Sequence, residues 1–332
     1  MKAVLMTAVG APEVLQLAEL PDPGAPGPRQ LRVRVRAAGV NPVDTKLRAR
    51  GTYYPDRMPA VLGCDGAGVV EAVGAEVTRF RPGDEVYYCH GGIGGQPGNY
   101  AQVALVDEAV VAHKPPQLSF EEAAALPLVL ITAWESLHDR AGLAPGRTVL
   151  IHAGAGGVGH VAIQLARAAG CRVMTTVGGK EKADFVRALG AEDVIDYRQK
   201  DFVQAVLHLT GGEGADVAFD TVGGEVFQRS FAAVRPYGDI VTLLQPGPDV
   251  DWKIPRLRNQ RTSLELMLSP MYFGWQAALR HQGEILAKGA ELVEQGQLRV
   301  HLSNVLPLAQ AAEAHRRIEA GGMMGKLVLQ VE

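Results

Sequence analysis

Cysteine is scarce in this chain of 332 residues, which contains only Cys64, Cys89 and Cys171. Three widely spaced cysteines are too few for the disulfide framework that holds small secreted domains together. We therefore expect free thiols and a reducing compartment, the cytoplasm.

The chain also has no excess of positive charge and no long apolar run. Its 33 Lys and Arg residues are balanced by 36 Asp and Glu residues, which gives a net charge of −3 at pH 7. Nucleic-acid binding needs a basic surface, so this balance argues against a nucleic-acid partner. No segment approaches the roughly 18 consecutive apolar residues of a membrane span, so we expect no membrane association. The composition, 47% hydrophobic and 21% charged, is that of a globular protein.

The length favours two domains, because single cores stop growing at about 250–300 residues. Up to about residue 120 the chain consists of short strands and turns, as in LRVRVRAAGV from Leu31, where apolar and polar residues alternate. From Ser119 the segment SFEEAAALPLVLITAWESL begins with a helix cap and continues with helical periodicity.

Beyond residue 147 short apolar strands alternate with amphipathic helices. Six strand segments are found: TVLIHA, CRVMTTV, DVIDY, ADVAFDTV, GDIVTLL and TSLELML. Parallel strands need crossover connections of this length, so the predicted fold class is α/β with a doubly wound parallel sheet.

The segment HAGAGGVG between the first of these strands and its helix has the spacing of a dinucleotide-binding turn. Gly154 makes the sharp turn, Gly156 lets the backbone approach a pyrophosphate, and Gly159 lets the helix pack closely on the strand. Gly157 adds freedom at the turn. The helix start, at Gly157 and Val158, presents N–H groups to the phosphates.

The end of the second strand indicates which dinucleotide binds. An enzyme specific for NAD usually has an acidic residue here that binds the ribose 2′-OH. This chain has Gly178 and Gly179 instead, followed by Lys180 and Lys182. Small residues leave room for a 2′-phosphate and lysines supply positive charge, so we expect NADPH, although Glu181 would act against the phosphate.

The motifs together resemble a known family. AAGVNPVDTKLRARG, PAVLGCDGAGVVEAVG, FRPGDEV, HAGAGGVG, DTVGG and GKLVLQV are similar, in order and spacing, to the medium-chain dehydrogenase/reductase superfamily, zinc-free quinone oxidoreductase (zeta-crystallin-like) branch. The resemblance implies a β-rich, barrel-like (GroES-like) catalytic domain of residues 1–120 and 271–332 and a Rossmann nucleotide-binding domain of residues 121–270. It also implies a homodimer that pairs edge strands of the nucleotide-binding domains, for which RPYGDIVTLL is the expected edge.

Zinc-dependent relatives have a cysteine where this chain has Asn41 and a histidine where it has Cys64. Their third ligand would fall in LPLVLITAW, which has no Cys, Asp or Glu before Trp134, and a catalytic zinc needs three protein ligands. Nothing in the spacing of Cys64, Cys89 and His90 indicates that these three meet. We therefore expect no metal.

Without a metal, the residues present favour conjugate reduction. No tyrosine has a lysine four positions later, so the pair that would deprotonate an alcohol is missing. Conjugate addition of hydride leaves negative charge on a carbonyl oxygen, which neutral donors can hold. Asn41, Tyr53 and Tyr54 offer such donors, and the resemblance implies that Asn41 and one of the two tyrosines face the nicotinamide and the substrate.

The resemblance also nominates cofactor residues outside the glycine turn. They are Thr132 at the nicotinamide or a phosphate, Tyr197 at the 2′-phosphate, Val222 along the adenosine or ribose, Leu243 and Leu244 at the nicotinamide, and Lys326 from the C-terminal segment.

The predicted function is therefore an NADPH-dependent, zinc-free reductase of quinones or α,β-unsaturated carbonyls. Two alternatives stay open. One is an enoyl-thioester reductase of the same superfamily, and the other is a non-catalytic NADPH-binding protein of crystallin-like or regulatory type.

Overall fold

A computed structural model describes residues 1–332 and divides them into two compact units. The first unit comprises Met1–Leu128 and Leu268–Glu332, and the second comprises Val129–Met267. None of the helices combines the length and the apolar character that crossing a bilayer would require.

The N-terminal part of the first unit is mostly β-structure. Its elements are β1 (Lys2–Met6), β2 (Leu15–Glu19), β3 (Gln30–Val40), α1 (Pro42–Arg50), β4 (Ala60–Val61), β5 (Asp65–Val73), β6 (Glu85–Cys89), β7 (Val103–Asp107), β8 (Val111–His113) and α2 (Phe120–Ala124), with 3₁₀ turns at Pro12–Val14 and Glu108–Val110. In β3 the side chains of Leu31, Val33 and Val35 are buried, as the alternating pattern predicts.

The second unit contains the alternating strands and helices. After α3 (Pro127–Trp134), which spans the boundary and continues as a π-helical segment (Glu135–Arg140), the elements are β9 (Thr148–Ile151), α4 (Gly157–Ala168), β10 (Arg172–Val177), α5 (Lys180–Ala188), β11 (Asp193–Asp196), α6 (Phe202–Leu209), β12 (Ala215–Asp220), α7 (Gly224–Ala233), β13 (Val234–Thr242), α8 (Lys253–Leu257) and β14 (Arg261–Leu264).

The C-terminal segment returns to the first unit. It contains α9 (Ser269–Phe273), α10 (Gln276–Glu294), β15 (Leu302–Pro307), a 3₁₀ turn (Leu308–Gln310), α11 (Ala311–Ala320) and β16 (Lys326–Gln330). Strand β16 pairs antiparallel with β3 and extends the main sheet, whose order is β15-β16-β3-β5-β6-β8 with β7 also paired to β3. A smaller sheet has the order β2-β1-β4.

The first boundary lies later than residue 120, because residues 121–128 belong to the first unit. Helix α2 begins with a capping box between Ser119 and Glu122 and packs on β3 and β5 of the first unit. Residues 268–270 also belong to the first unit. The helical periodicity of the segment from Ser119 predicts where α2 begins, but it does not indicate which of the two sheets this helix covers.

The six strands of the second unit form one parallel sheet in the order β11-β10-β9-β12-β13-β14, the doubly wound order of a dinucleotide-binding fold. Its core on one face includes Leu150, Phe227 and Phe231. The expectation that RPYGDIVTLL forms the edge is wrong. Strand β13 pairs with β12 on one side and with β14 on the other, so β14 is the edge strand at this end of the sheet and β11 is the edge strand at the other end.

Candidate functional site

The predicted cofactor residues of the second unit cluster at the carboxyl ends of its strands. The glycine turn follows β9, Gly178 follows β10, Tyr197 follows β11, Val222 follows β12, and the two leucines follow β13. In doubly wound sheets this edge is where ligands bind, at the point where the strand order reverses. Here the reversal lies between β9 and β12, because β10 and β11 follow on one side of β9 and β12, β13 and β14 follow on the other.

The glycine turn has the shape that a pyrophosphate requires. A Cβ on Gly154 would collide with Thr175 Oγ1, so only glycine fits there. A Cβ on Gly156 would meet only the Ala153 carbonyl, 3.2 Å away, and would otherwise project into open space. Helix α4 begins at the next residue, and its first amides, on Gly157, Val158 and Gly159, have no partners within the helix. The turn therefore fits a dinucleotide, with free N–H groups at its phosphates.

Tyr197 and Arg198 lie over the glycine at the end of β10. A Cβ on Gly178 would be 2.5 Å from the Tyr197 hydroxyl and 3.1 Å from Arg198 Nε. The Tyr197 side chain is 55% exposed, and the Arg198 guanidinium is exposed and forms no ion pair. The position expected to receive the 2′-phosphate therefore has a phenol and an unpaired cation beside it.

The two neighbouring lysines differ in their availability. Lys180 Nζ is 2.6 Å from Asp184 Oδ2 and forms an ion pair within α5. Lys182 lies in the first turn of the same helix and forms no ion pair, so its ammonium is free for a phosphate. This difference supports Lys182, and not Lys180, as the phosphate ligand.

The remaining cofactor candidates lie as follows. Val222 is 48% exposed, and its loop adjoins Leu244, because a Cβ on Gly223 would be 2.9 Å from Leu244 Cβ. Leu243 is half-buried, and its amide donates to the Asp220 carbonyl at 3.1 Å. Thr132 is buried in α3. These positions are compatible with apolar walls and a buried hydroxyl at a nucleotide site.

The first unit contains a buried polar cluster centred on Asn41. The Asn41 amide nitrogen donates to Asp65 Oδ2 at 2.9 Å, and its amide oxygen accepts a hydrogen bond from the ammonium of Lys326. Lys326 Nζ is also 3.2 Å from the Val40 carbonyl and 3.7 Å from Asp65 Oδ2. Asp65 Oδ1 accepts the Leu128 amide at 2.8 Å. All three side chains are almost completely enclosed.

Burial controls the charges of this cluster. It raises the pKa of Asp65 and lowers the pKa of Lys326, and the attraction between the two opposes both shifts. Burial also raises the pKa of Asp44, a neighbour in α1, to about 7. The pKa values of the Cys64 and Cys89 thiols are well above the ordinary value, again because of burial, so both stay protonated.

Two of the predicted site residues are directed into this cluster. Lys326 was expected to reach the cofactor, and in this structure its side chain is 3% exposed and its ammonium is directed at Asn41 and Asp65. Asn41 was expected to face the substrate, and in this structure it is 0% exposed. Its second amide hydrogen has no acceptor in the chain, so one donor remains uncommitted. The Lys326 ammonium reaches Asn41 because Lys326 is the first residue of β16, which pairs with β3 next to Val40.

The two tyrosines after α1 differ in the use of their hydroxyl groups. The Tyr54 hydroxyl donates to the Tyr272 carbonyl at 3.2 Å, whereas the Tyr53 hydroxyl forms no hydrogen bond within the chain. Tyr53 is 36% exposed, and its ring lies 5.1 Å from that of Tyr272. Partial burial raises the pKa of Tyr53, so the phenol keeps its proton near neutral pH. Tyr53 is therefore the tyrosine that is free to donate.

No group of three or more His, Cys, Asp or Glu side chains has a geometry that could hold a metal ion. At the positions of Asn41 and Cys64 the structure has an amide and a buried thiol, with the Lys326 ammonium beside them.

Two functional candidates were missed in the sequence. Arg198 directly follows Tyr197, and the available signal was its position after the third strand, next to a second strand that ends in glycines and not in an acidic residue. Asp65, which orients Asn41, follows Cys64 in GCDGAG, and no spacing rule connects it with residue 41 or residue 326.

Comparisons with known proteins agree with this architecture. Residues 27–116 match the family model "Alcohol dehydrogenase GroES-like domain", and residues 189–329 match "Zinc-binding dehydrogenase". Asn41 and Cys64 lie outside the residues matched by the second model.

A quinone oxidoreductase of Pseudomonas aeruginosa is 36% identical over 330 residues, covering 99% of each chain. A solved structure of an alcohol dehydrogenase superfamily protein from Novosphingobium aromaticivorans is 38% identical, with a TM-score of 0.92 and complete coverage of both chains. The Escherichia coli quinone oxidoreductase complexed with NADPH is 29% identical, with a TM-score of 0.87 and complete coverage of both. With a GroES-like sheet unit, a doubly wound nucleotide unit and relatives matched along their whole length, this chain belongs to the quinone oxidoreductase branch of the medium-chain dehydrogenase/reductase superfamily.

Proposed function

We propose that this protein is an NADPH-dependent reductase of quinones or α,β-unsaturated carbonyl compounds. Bound NADPH would supply the hydride. The observation that carries the cofactor assignment is the placement of Tyr197 and the unpaired Arg198 over Gly178, at the end of the second strand of the nucleotide-binding sheet. The complex of the Escherichia coli relative with NADPH supports the same cofactor.

The second unit offers a complete set of groups for this cofactor. The amides of Gly157, Val158 and Gly159 would bind the pyrophosphate at the start of α4. Lys182, Tyr197 and Arg198 would bind the 2′-phosphate through charge-assisted hydrogen bonds. The apolar walls would come from Val222, Leu243 and Leu244, and Thr132 would supply a hydroxyl near the nicotinamide or a phosphate.

The first unit offers neutral donors for the substrate oxygen. We assign the main donor role to the Tyr53 hydroxyl, which has no partner in the chain. Asn41 stays a candidate because its second amide hydrogen is uncommitted. Its orientation follows from its neighbours, since Lys326 can only donate and therefore meets the amide oxygen, while ionised Asp65 only accepts and meets the nitrogen. A neutral donor can hold the charge that develops on a quinone or enone oxygen.

A panel of substrates tests this proposal. NADPH consumption is measured with a para-quinone, an enone, an enoyl thioester and a simple ketone, and each assay is repeated with NADH. We expect turnover of the quinone or the enone with preference for NADPH. Turnover of the enoyl thioester alone would favour the enoyl-thioester reductase. Tight NADPH binding without turnover of any compound would favour a non-catalytic role.

We also propose a homodimer, now through β14 and not β13. Strand β14 (Arg261–Leu264) has one unpaired edge, and its last residue, Leu264, is 58% exposed. Analytical ultracentrifugation of the purified protein measures the oligomeric state directly. Leu264→Arg should shift the equilibrium from dimer toward monomer.

A further inference from the structure

The glycine turn contains a strained residue that is not a glycine. Ala153 has φ of 50°, in the left-handed region that residues with a Cβ seldom adopt. Its carbonyl accepts the Gly156 amide at 2.9 Å and so closes the turn, while its own amide donates to Thr176 Oγ1 at 3.1 Å. A strained conformation persists only where its surroundings impose it, so the groups that hold Ala153 decide the shape of the turn.

Those groups form a single buried chain of hydrogen bonds. Thr176 Oγ1 lies 3.1 Å from His152 Nδ1, and His152 Nε2 lies 2.9 Å from Ser230 Oγ. Ser230 Oγ donates to the Val226 carbonyl at 2.7 Å. The three side chains come from the end of β9, from β10 and from α7, and all of them are buried. The turn is thereby tied to a strand and a helix on either side of it.

The direction of every bond in this chain can be assigned. The Ala153 amide can only donate, so Thr176 Oγ1 accepts there, and the threonine hydrogen is left to point at His152 Nδ1. Nδ1 is then an acceptor, and the ring proton lies on Nε2, from which it reaches Ser230 Oγ. The opposite tautomer would leave the buried Thr176 hydrogen without an acceptor, which is costly.

We propose that His152, Thr176 and Ser230 are positioning residues that hold the Ala153 turn in the shape that binds the dinucleotide phosphates. This inference rests on the proposed function, because it takes NADPH as the ligand of the turn. None of the three side chains needs to touch the cofactor. They determine the fraction of protein molecules in which the turn already has its binding shape. Their loss therefore changes cofactor affinity and not the rate of the chemical step.

The test compares two Thr→Val variants, one at Thr176 in the proposed chain and one at Thr210 outside it. Each variant removes a hydroxyl that accepts a backbone amide and donates to a second group. Thr176→Val removes the acceptor for the Ala153 amide and the donor to His152. Thr210→Val is the matched control, because Thr210 Oγ1 likewise accepts a backbone amide, that of Gly214 at 2.9 Å, and donates to a carbonyl, that of Val206 at 2.8 Å. Fluorescence titration with NADPH measures Kd, and thermal unfolding measures stability. Steady-state assays with a quinone measure kcat.

We expect Thr176→Val and His152→Phe to weaken NADPH binding by about tenfold, with kcat at saturating NADPH within about twofold of the wild type. Thr176→Ser, which restores the hydroxyl, should recover the affinity. Thr210→Val should lower the melting temperature and leave Kd unchanged. If Thr176→Val lowers only the melting temperature, as the control does, the residues are merely structural and the inference is wrong.

A measurement on the unaltered protein covers the case in which a variant does not fold. Nitrogen-15 NMR of labelled wild-type protein reports which ring nitrogen of His152 carries the proton. Protonation on Nε2 supports the assigned chain, and protonation on Nδ1 overturns it. If wild-type protein binds NADPH but reduces no quinone or enone, the proposed activity fails while the binding comparison still decides this inference.

Discussion

The ammonium of Lys326 donates to the amide oxygen of Asn41, across 285 residues of sequence. Asp65 completes the arrangement on the nitrogen side of the same amide. The orientation of Asn41 therefore depends on a buried pair of opposite charges, and each charge depends on the other for its place in the interior.

Removing one charge of this pair should lower the free energy of unfolding far more than removing both charges. Lys326→Met leaves the Asp65 carboxylate uncompensated, and we expect a loss of about 3–5 kcal/mol in the free energy of unfolding. Adding Asp65→Asn should recover most of that loss. Chemical denaturation measures all three proteins, with the exposed Lys200→Met as control, expected within about 0.5 kcal/mol of the wild type. Equal stability of the single and double variants would contradict the pairing.

Substitutions of Tyr53 and Tyr54 should affect different properties, the first kcat and the second the stability of the fold. Tyr53→Phe removes a free hydroxyl, so kcat for an enone should fall severalfold to about a hundredfold with little change in unfolding. Tyr54→Phe removes the bond to the Tyr272 carbonyl, so it should cost about 0.5–1.5 kcal/mol of stability and leave kcat close to the wild-type value. The reverse pattern in steady-state kinetics and thermal unfolding would assign the donor role to Tyr54.

Arg198 should determine the preference for NADPH. Arg198→Ala removes a charge-assisted contact to the 2′-phosphate, and we expect KM for NADPH to rise about ten- to a hundredfold while KM for NADH changes less than about twofold. Lys180→Ala is the control on the same side of the sheet, since Lys180 is already paired with Asp184. Equal effects of Arg198→Ala on both cofactors would place the guanidinium away from the phosphate.

Asp44 should make stability depend on pH. Burial raises its pKa to about 7 in the folded protein, above the ordinary value of 3.8, so between these values the folded state keeps a proton that the unfolded state has lost. Its contribution is complete below about pH 4 and disappears as the pH rises through 7, a change on the order of 2–4 kcal/mol. Asp44→Asn should remove this decline, as unfolding at several pH values would show. A decline of the same size in the variant would assign it to another group.

Activity should survive metal removal. The structure has no group of three candidate ligands, and Asn41 and Cys64 stand where zinc-dependent relatives have ligands. Dialysis against a strong chelator should leave quinone or enone turnover unchanged and reveal less than one zinc per chain. Stoichiometric zinc, together with loss of turnover on its removal, would contradict the metal-free interpretation.

Local patterns predicted much of this molecule. The six alternating segments correspond to β9–β14, and the glycine spacing places the turn at the start of α4. The role of β13 was misjudged because β14, a short strand of only four residues, adds one more partner beyond it. The direction of the Lys326 side chain could not be predicted, because it depends on the pairing of β16 with β3. The contact of Arg198 with Gly178 likewise depends on the packing of neighbouring strands.

The placement of β16 has a consequence for the order in which the chain can fold during synthesis. The residues of the nucleotide-binding unit, Val129–Met267, are contiguous, so this unit can complete its sheet while the C-terminal segment is still being translated. The first unit cannot do so, because Asn41 and Asp65 receive their cation from residue 326. The unit that carries Tyr53, the proposed hydrogen-bond donor, is therefore the last to be completed. A nascent chain released before β16 emerges would leave the edge of β3 without its partner strand and the Asp65 carboxylate without its cation.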